Sequence, residues 1–254
     1  MTRIKKPKNQ FGFTLIELLV VISIIALLIA LLLPALGKSK AATRSIICLA
    51  QSKQWNSAYL NYTQDHNGQT FPYPSSPGGG YWWLVLDDYL GGQKRIRFCP
   101  DAPTPSPDRR AMGTAFYAWR AFKGESSYGM NMFFHGQTPH TWNFLFPAKF
   151  HYNGPDEVTL PSITPVFADS AWWGGWPLHT DFIPADPIDP YTGNANDMER
   201  YYLARHDGGV NVAMIDGSAR LVSLVGLWKL KWHKQFNTAG LGRTSSRGRG
   251  SRRR

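Results

Sequence analysis

Residues 12–36 read GFTLIELLVVISIIALLIALLLPAL. Between Phe13 and Leu33 the only charged residue is Glu17, and Thr14 and Ser23 are the only other polar ones. An apolar run of this length crosses the hydrocarbon core of a bilayer as a helix. A carboxylate there costs on the order of a few kcal/mol and calls for a partner. Ahead of the run stand Arg3, Lys5, Lys6 and Lys8, with no acid among them. Pro34 near its end has no backbone N–H, so the helix is expected to kink or melt locally there.

The charge balance is uneven. The chain of 254 residues carries a formal net charge of +11. Four basic residues lie in the leader, and Arg243, Arg247, Arg249, Arg252, Arg253 and Arg254 lie in the tail RTSSRGRGSRRR. With those ten set aside the rest of the chain is nearly neutral. The basic character belongs to the two ends and not to a binding face, which makes a weak case for nucleic acid as a partner. Two cysteines, Cys48 and Cys99, are too few for a disulfide-dense scaffold, and their spacing fits no zinc motif. Outside the cytoplasm one bridge between them is chemically permitted; the alternative is two buried thiols.

A secretory signal peptide would need a shorter apolar stretch and a small-x-small cleavage site soon after it. A plain anchor would explain the length but neither Glu17 nor Gly12. The basic leader, Gly12, Phe13, Glu17, the long apolar run and Pro34 together resemble the prepilin signature of type IV pilins and type II secretion pseudopilins. The resemblance implies that a membrane prepilin peptidase cuts between Gly12 and Phe13 and methylates the new amine on Phe13. It implies that Glu17 then pairs with the terminal amine of a neighbouring pilin-like subunit in a homo- or hetero-filament. Lys38, Lys40 and Arg44 follow the span, so the charge rule favours a cytoplasmic leader only slightly. The resemblance decides the orientation: a single pass through the inner membrane with the C-terminal body outside, or in a cell-surface filament.

Beyond Pro34 the helix should continue to about Asp65, because Cys48, Trp55, Tyr59 and Tyr62 recur on one helical face. Asn67-Gly68 breaks it. YWWLVLDDYL (81–90) is a short apolar segment, and GTAFYAW (113–119) and SITPVFADS (162–170) read as strands. VNVAMIDGSARLVSL (210–224) reads as a hairpin, with Val210, Val212 and Met214 on one face and Asp216-Gly217 as a two-residue type I′ turn. KLKWHKQFN (229–237) is expected to add a short helix before a disordered tail. The expected class is α+β: a long N-terminal membrane-spanning helix packed on an antiparallel β-sheet body, as in pilins. The expected organisation is leader 1–12, membrane and assembly helix 13–36, helix continuation 37–66, β-rich body 67–236 and basic tail 237–254.

RHDGGVNVAMIDG (205–217) places nine residues between His206 and Asp216-Gly217. This resembles the H-X9-DG motif of prepilin-like proteins with large C-terminal bodies, as do CLAQSKQ (48–54), RFCPD (97–101), SYGMN (127–131) and FADS (167–170) in that order. Trp55 and Asn56 depart from the small or aliphatic residues usual in that subgroup. The structural reading has His206 fixing one end of the hairpin and Asp216 building the other; the ligand reading puts His206 with Asp169 in a site. Residues ten apart across a hairpin need not meet, so a metal shared by His206 and Asp216 is disfavoured, and no metal site is expected. Asp181, Asp186, Asp189 and Asp197 share one long loop; calcium takes six to eight oxygens, but the spacing matches no EF-hand pattern, and a solvated loop is the simpler reading. Trp172, Trp173 and Trp176 either stack on a sugar ring or belong to the core or a subunit interface. No nucleophile elbow, phosphate-binding loop or paired-carboxylate motif stands out, so no catalytic residue and no enzymatic activity is expected. The leading function is a structural pilin-like or pseudopilin subunit. The alternatives are a pilin-anchored surface protein that binds carbohydrate and a minor pilin that captures DNA with its arginine tail.

Overall fold

A computed structural model describes residues 14–74, 79–107, 111–136, 147–192, 196–240 and 243–244. The predicted scissile pair Gly12–Phe13, the basic leader and most of the arginine tail lie outside these residues. Two compact units result, residues 1–42 and 43–254, and helix α1 (Leu15–Asp65) contributes to both.

The helix starts on Thr14. Its N–H donates to Glu17 Oε2 at 2.8 Å, its hydroxyl donates to the same oxygen at 2.8 Å, and Glu17 N–H donates back to Thr14 Oγ1 at 3.3 Å. This is a capping box, in which helix-start donors that lack an intrahelical partner are satisfied reciprocally. Leu, Ile and Ala then carry the helix, and it ends at Asn67 (φ 55°) and Gly68 (φ 76°), both left-handed. It runs unbroken for 51 residues through Pro34, so the local melting expected there does not occur. Proline removes one backbone donor, and the flanking leucines and alanine are strong helix formers. In the first unit every side chain from Leu15 to Ala42 is exposed.

In the second unit α1 buries Cys48, Ser52, Trp55, Asn56, Tyr59 and Tyr62, the predicted stripe with polar members added. The strands are β1 (Trp119–Ala121), β2 (Gly124–Ser126), β3 (Tyr128–Asn131), β4 (Pro165–Asp169), β5 (Gly174–Gly175), β6 (Phe182–Ile183), β7 (Gly209–Met214), β8 (Ala219–Ser223) and β9 (Arg243–Thr244). The main sheet has the order β5-β3-β4-β7-β8 and is antiparallel except for the β3–β5 pair. β7 lies inside the sheet, between β4 and β8, and is buried at all six positions, so the predicted alternation does not translate into one wet face. Ala213 packs in a core with Trp55, Trp82 and Phe167, on the helix side. Val210, Val212 and Met214 pack in a second core with Trp228 and Trp232, from the C-terminal segment. A sheet covered on both faces reads as near-continuous apolar sequence rather than as strict alternation.

Several local expectations change. Residues 113–117 are irregular and bent, with Thr114 N–H donating to Tyr117 O at 2.9 Å; Ala118 makes an isolated parallel bridge to Pro105, and the strand begins only at Trp119. At the β7–β8 end only Gly217 has positive φ (84°), and its N–H donates to Met214 O at 3.0 Å. This is a turn with one left-handed glycine, not the two-residue type I′ turn expected there. That pattern occurs one motif earlier: Asp207 (φ 48°) and Gly208 (φ 77°) are both left-handed, and His206 and Gly209 exchange both backbone hydrogen bonds. Residues 230–237 hold no helix; the 3-10 turn Leu224–Lys229 precedes them, and Trp232 Nε1–H donates back to Leu227 O at 2.8 Å. In the tail, β9 pairs in parallel with β6.

Candidate functional site

Four chain segments bring ionisable side chains to one buried point in the second unit. Cys48 comes from the inward face of α1 and Cys99 from the loop after the 3-10 turn Lys94–Arg97. Asp169 is the last residue of β4, and His206 is anchored by the tight turn that leads into β7. All four are buried, and one donor atom from each lies within 4.8 Å of the others. Cys48 Sγ is 3.0 Å from Asp169 Oδ1, Cys99 Sγ is 3.3 Å from His206 Nε2, and that nitrogen is 3.3 Å from Asp169 Oδ2.

A second ring of groups holds these. His206 Nδ1 faces Asp101 Oδ2 at 3.0 Å, an ionic contact rather than an aligned hydrogen bond, and Arg44 pairs with Asp101 from outside. Asp169 Oδ2 accepts from Asn211 N–H at 2.8 Å, and its Oδ1 lies 3.2 Å from Arg205 Nη1. Arg205 is fully enclosed and donates to the carbonyls of Ala115, Thr114 and Ser127. Tyr128 Oη stands 3.1 Å from Cys48 Sγ, and Asp101 N–H points at Cys99 Sγ at 3.5 Å.

The electrostatics follow from this packing. Burial would raise the Asp169 carboxyl, but His206 and Arg205 beside it hold it down at about 2. Burial would likewise depress His206, and the neighbouring Asp169 and Cys99 lift it to about 10. The two thiols diverge: burial pushes Cys48 well up, whereas Cys99, although buried, is drawn down to about 6 by Cys48 and His206. Cys99, His206 and Asp101 lie in the order of a nucleophile, base and acid. Cys99 is 0% exposed and His206 3%, however, so the thiol offers no face for a substrate to approach.

His206 therefore belongs to this cluster, while Asp216 and Gly217 sit at the far end of β7. There Asp216 Oδ1 accepts from Ser218 N–H at 2.9 Å and from its hydroxyl at 2.6 Å, which builds the turn. Cys48 and Cys99 are brought together as free thiols, without the bridge their count permitted. Trp173 is core, and Trp172 and Trp176 are half-buried against it, so the three indoles form no common exposed platform. Asp181 accepts from Leu178 and Met198 N–H, Asp186 from Ile188 N–H, and Asp197 from Trp176 N–H while its other oxygen pairs with Arg200 at 2.8 Å. Sequence reasoning missed Arg205 and Asp101. A buried arginine has no sequence signature, although its place beside His206 in RHDGG is a hint in retrospect.

Residues 7–33 match the family model described as the prokaryotic N-terminal methylation motif. The match covers Gly12, Phe13 and Glu17, so the chain carries the type IV pilin and pseudopilin signature. No curated protein and no solved structure matches the chain.

Proposed function

We propose that this chain is a non-enzymatic pilin-like or pseudopilin subunit, processed between Gly12 and Phe13 and methylated on Phe13. The observation that carries this reading is the methylation motif at residues 7–33, running directly into a fully exposed apolar helix that continues into a folded body. That exposed surface needs a cover, which lipid supplies before assembly and neighbouring helices supply afterwards. The membrane holds the monomer with its body outside the cytoplasm, prepilin peptidase removes the leader, and other pilin-like subunits complete a type IV pilus or a secretion-type filament.

The test is mass spectrometry of the mature N-terminus from cells with an active prepilin peptidase. A chain beginning at N-methylated Phe13 is expected; an intact Gly12–Phe13 bond in such cells overturns the reading.

A further inference from the structure

We infer that Cys48, Cys99, Asp169 and His206 form a structural zinc site. Their donor set is two sulfurs, one imidazole nitrogen and one carboxylate oxygen, within 4.8 Å of one another. At zinc bond lengths of about 2.0–2.3 Å, tetrahedral ligand atoms stand roughly 3.3–3.8 Å apart. The contacts from Cys99 to His206 Nε2 and from that nitrogen to Asp169 Oδ2, both 3.3 Å, are at that spacing; Cys48 lies 3.0 Å from the other carboxylate oxygen, Oδ1, and donor pairs that stand as far as 4.8 Å apart draw in around the ion.

Hydrogen bonding alone serves this arrangement poorly. His206 Nε2 carries at most one proton, yet it faces Cys99 Sγ and Asp169 Oδ2 at the same distance. A cation at the centre would satisfy all four lone pairs together. The charges also close: two thiolates and a carboxylate bring three negative charges, which a divalent zinc and the enclosed Arg205 guanidinium balance. Thiolates select a soft or borderline metal, and a tetrahedral sulfur-rich set favours zinc over calcium or magnesium.

The surrounding groups are those a metal site needs. A ligating imidazole commonly has its other nitrogen oriented by a carboxylate; Asp101 Oδ2 stands 3.0 Å from Nδ1, within reach of that role without yet being aligned for a hydrogen bond. Asn211 N–H and Arg205 hold the Asp169 carboxylate, and Asp101 N–H points at the Cys99 sulfur. Four protein ligands and full burial leave no open position, which marks a structural rather than a catalytic metal. The site joins α1, the RFCPD loop, the end of β4 and the turn into β7, and so fastens the helix to the sheet within the second unit.

The test uses the full-length protein, purified in detergent without chelators, with elemental analysis for metal. The wild type should hold about one zinc per folded chain, and Cys99→Ser and His206→Gln should each fall to about a tenth of that or less. His179→Gln, outside the cluster, should keep its metal. A wild type with native circular dichroism and no metal overturns the proposal, as does zinc retained by both ligand variants. Should those variants fail to fold, cobalt-exchanged wild type decides. Thiolate-to-cobalt charge transfer with intense tetrahedral bands is expected, and a cobalt spectrum without thiolate character refutes the site. So does an intact mass lower by two hydrogens, the mark of a Cys48–Cys99 bridge. None of these readings depends on N-terminal processing.

Discussion

Thr14 and Glu17 exchange hydrogen bonds at the start of α1, so the carboxylate has partners within its own chain. This revises the simple picture of an acid left unsatisfied until a neighbour arrives. On the proposed reading, Glu17 is held in place by Thr14 and then offered to the amine of the next subunit, an ion pair that hydrocarbon strengthens. Glu17→Val is therefore expected to leave cleavage intact and to abolish filament assembly. Mature-chain mass and sedimentation of sheared filaments check the two halves separately; normal filaments from the valine variant would remove Glu17 from assembly. The capping box went unread in the sequence, although its T-x-x-E pattern depends only on residues three apart. Arg205 is the opposite case. Its guanidinium spans carbonyls ninety-one, ninety and seventy-eight positions away and a carboxylate thirty-six away, which no local pattern encodes.

Among the elements, α1 changes character along its length. From Leu15 to Leu36 it is apolar on every side apart from Glu17 and Ser23, and from Thr43 on it presents one packed face. Trp55 anchors that face, edge-on to Trp82 at 4.8 Å and with its Nε1–H donating to Ile96 O at 3.1 Å. Asn56 adds a donor to Met214 O at 2.7 Å, directly onto β7. Trp55 and Asn56 thus tie the helix to a loop and to the sheet. Trp55→Ala should destabilise the body by about 3–5 kcal/mol through the cavity it leaves. The measurement is the shift in urea midpoint of the detergent-solubilised chain, followed by circular dichroism. A loss under about 1 kcal/mol would mean that the helix face is not packed as described. The periodicity of Cys48, Trp55, Tyr59 and Tyr62 predicted this face correctly because burial on a helix repeats with its turn. The same logic failed for residues 113–117, where apolar side chains sit on irregular, bent backbone whose hydrogen bonds go to distant segments such as Ile188.

At the scale of the whole molecule, the second unit stacks α1, the five-stranded sheet and the C-terminal segment of Trp228 and Trp232 around two apolar cores. Histidines caught in that packing make stability depend on pH. Burial pushes His135 down to about 3, and burial with His179, Lys231 and His151 nearby does the same to His233. A histidine whose folded pKa lies below its unfolded value of about 6.5 contributes stability that is present above that value and lost as pH falls below it. His135 alone should withdraw on the order of 2 kcal/mol between neutral pH and pH ~5. Denaturation midpoints across that window should decline with acid, and His135→Gln should flatten the slope; an unchanged slope would show that His135 is not buried neutral. What the sequence determined by itself lies in the N-terminal quarter: the methylation signature, the long apolar run and the packed helix face all rest on hydropathy, spacing and residue type among residues close together in the chain. What only the tertiary structure decided is the meeting of Cys48, Cys99, Asp169 and His206. Their separations along the chain carry no motif, and their distances in space are set by how the sheet is ordered and where α1 lies on it.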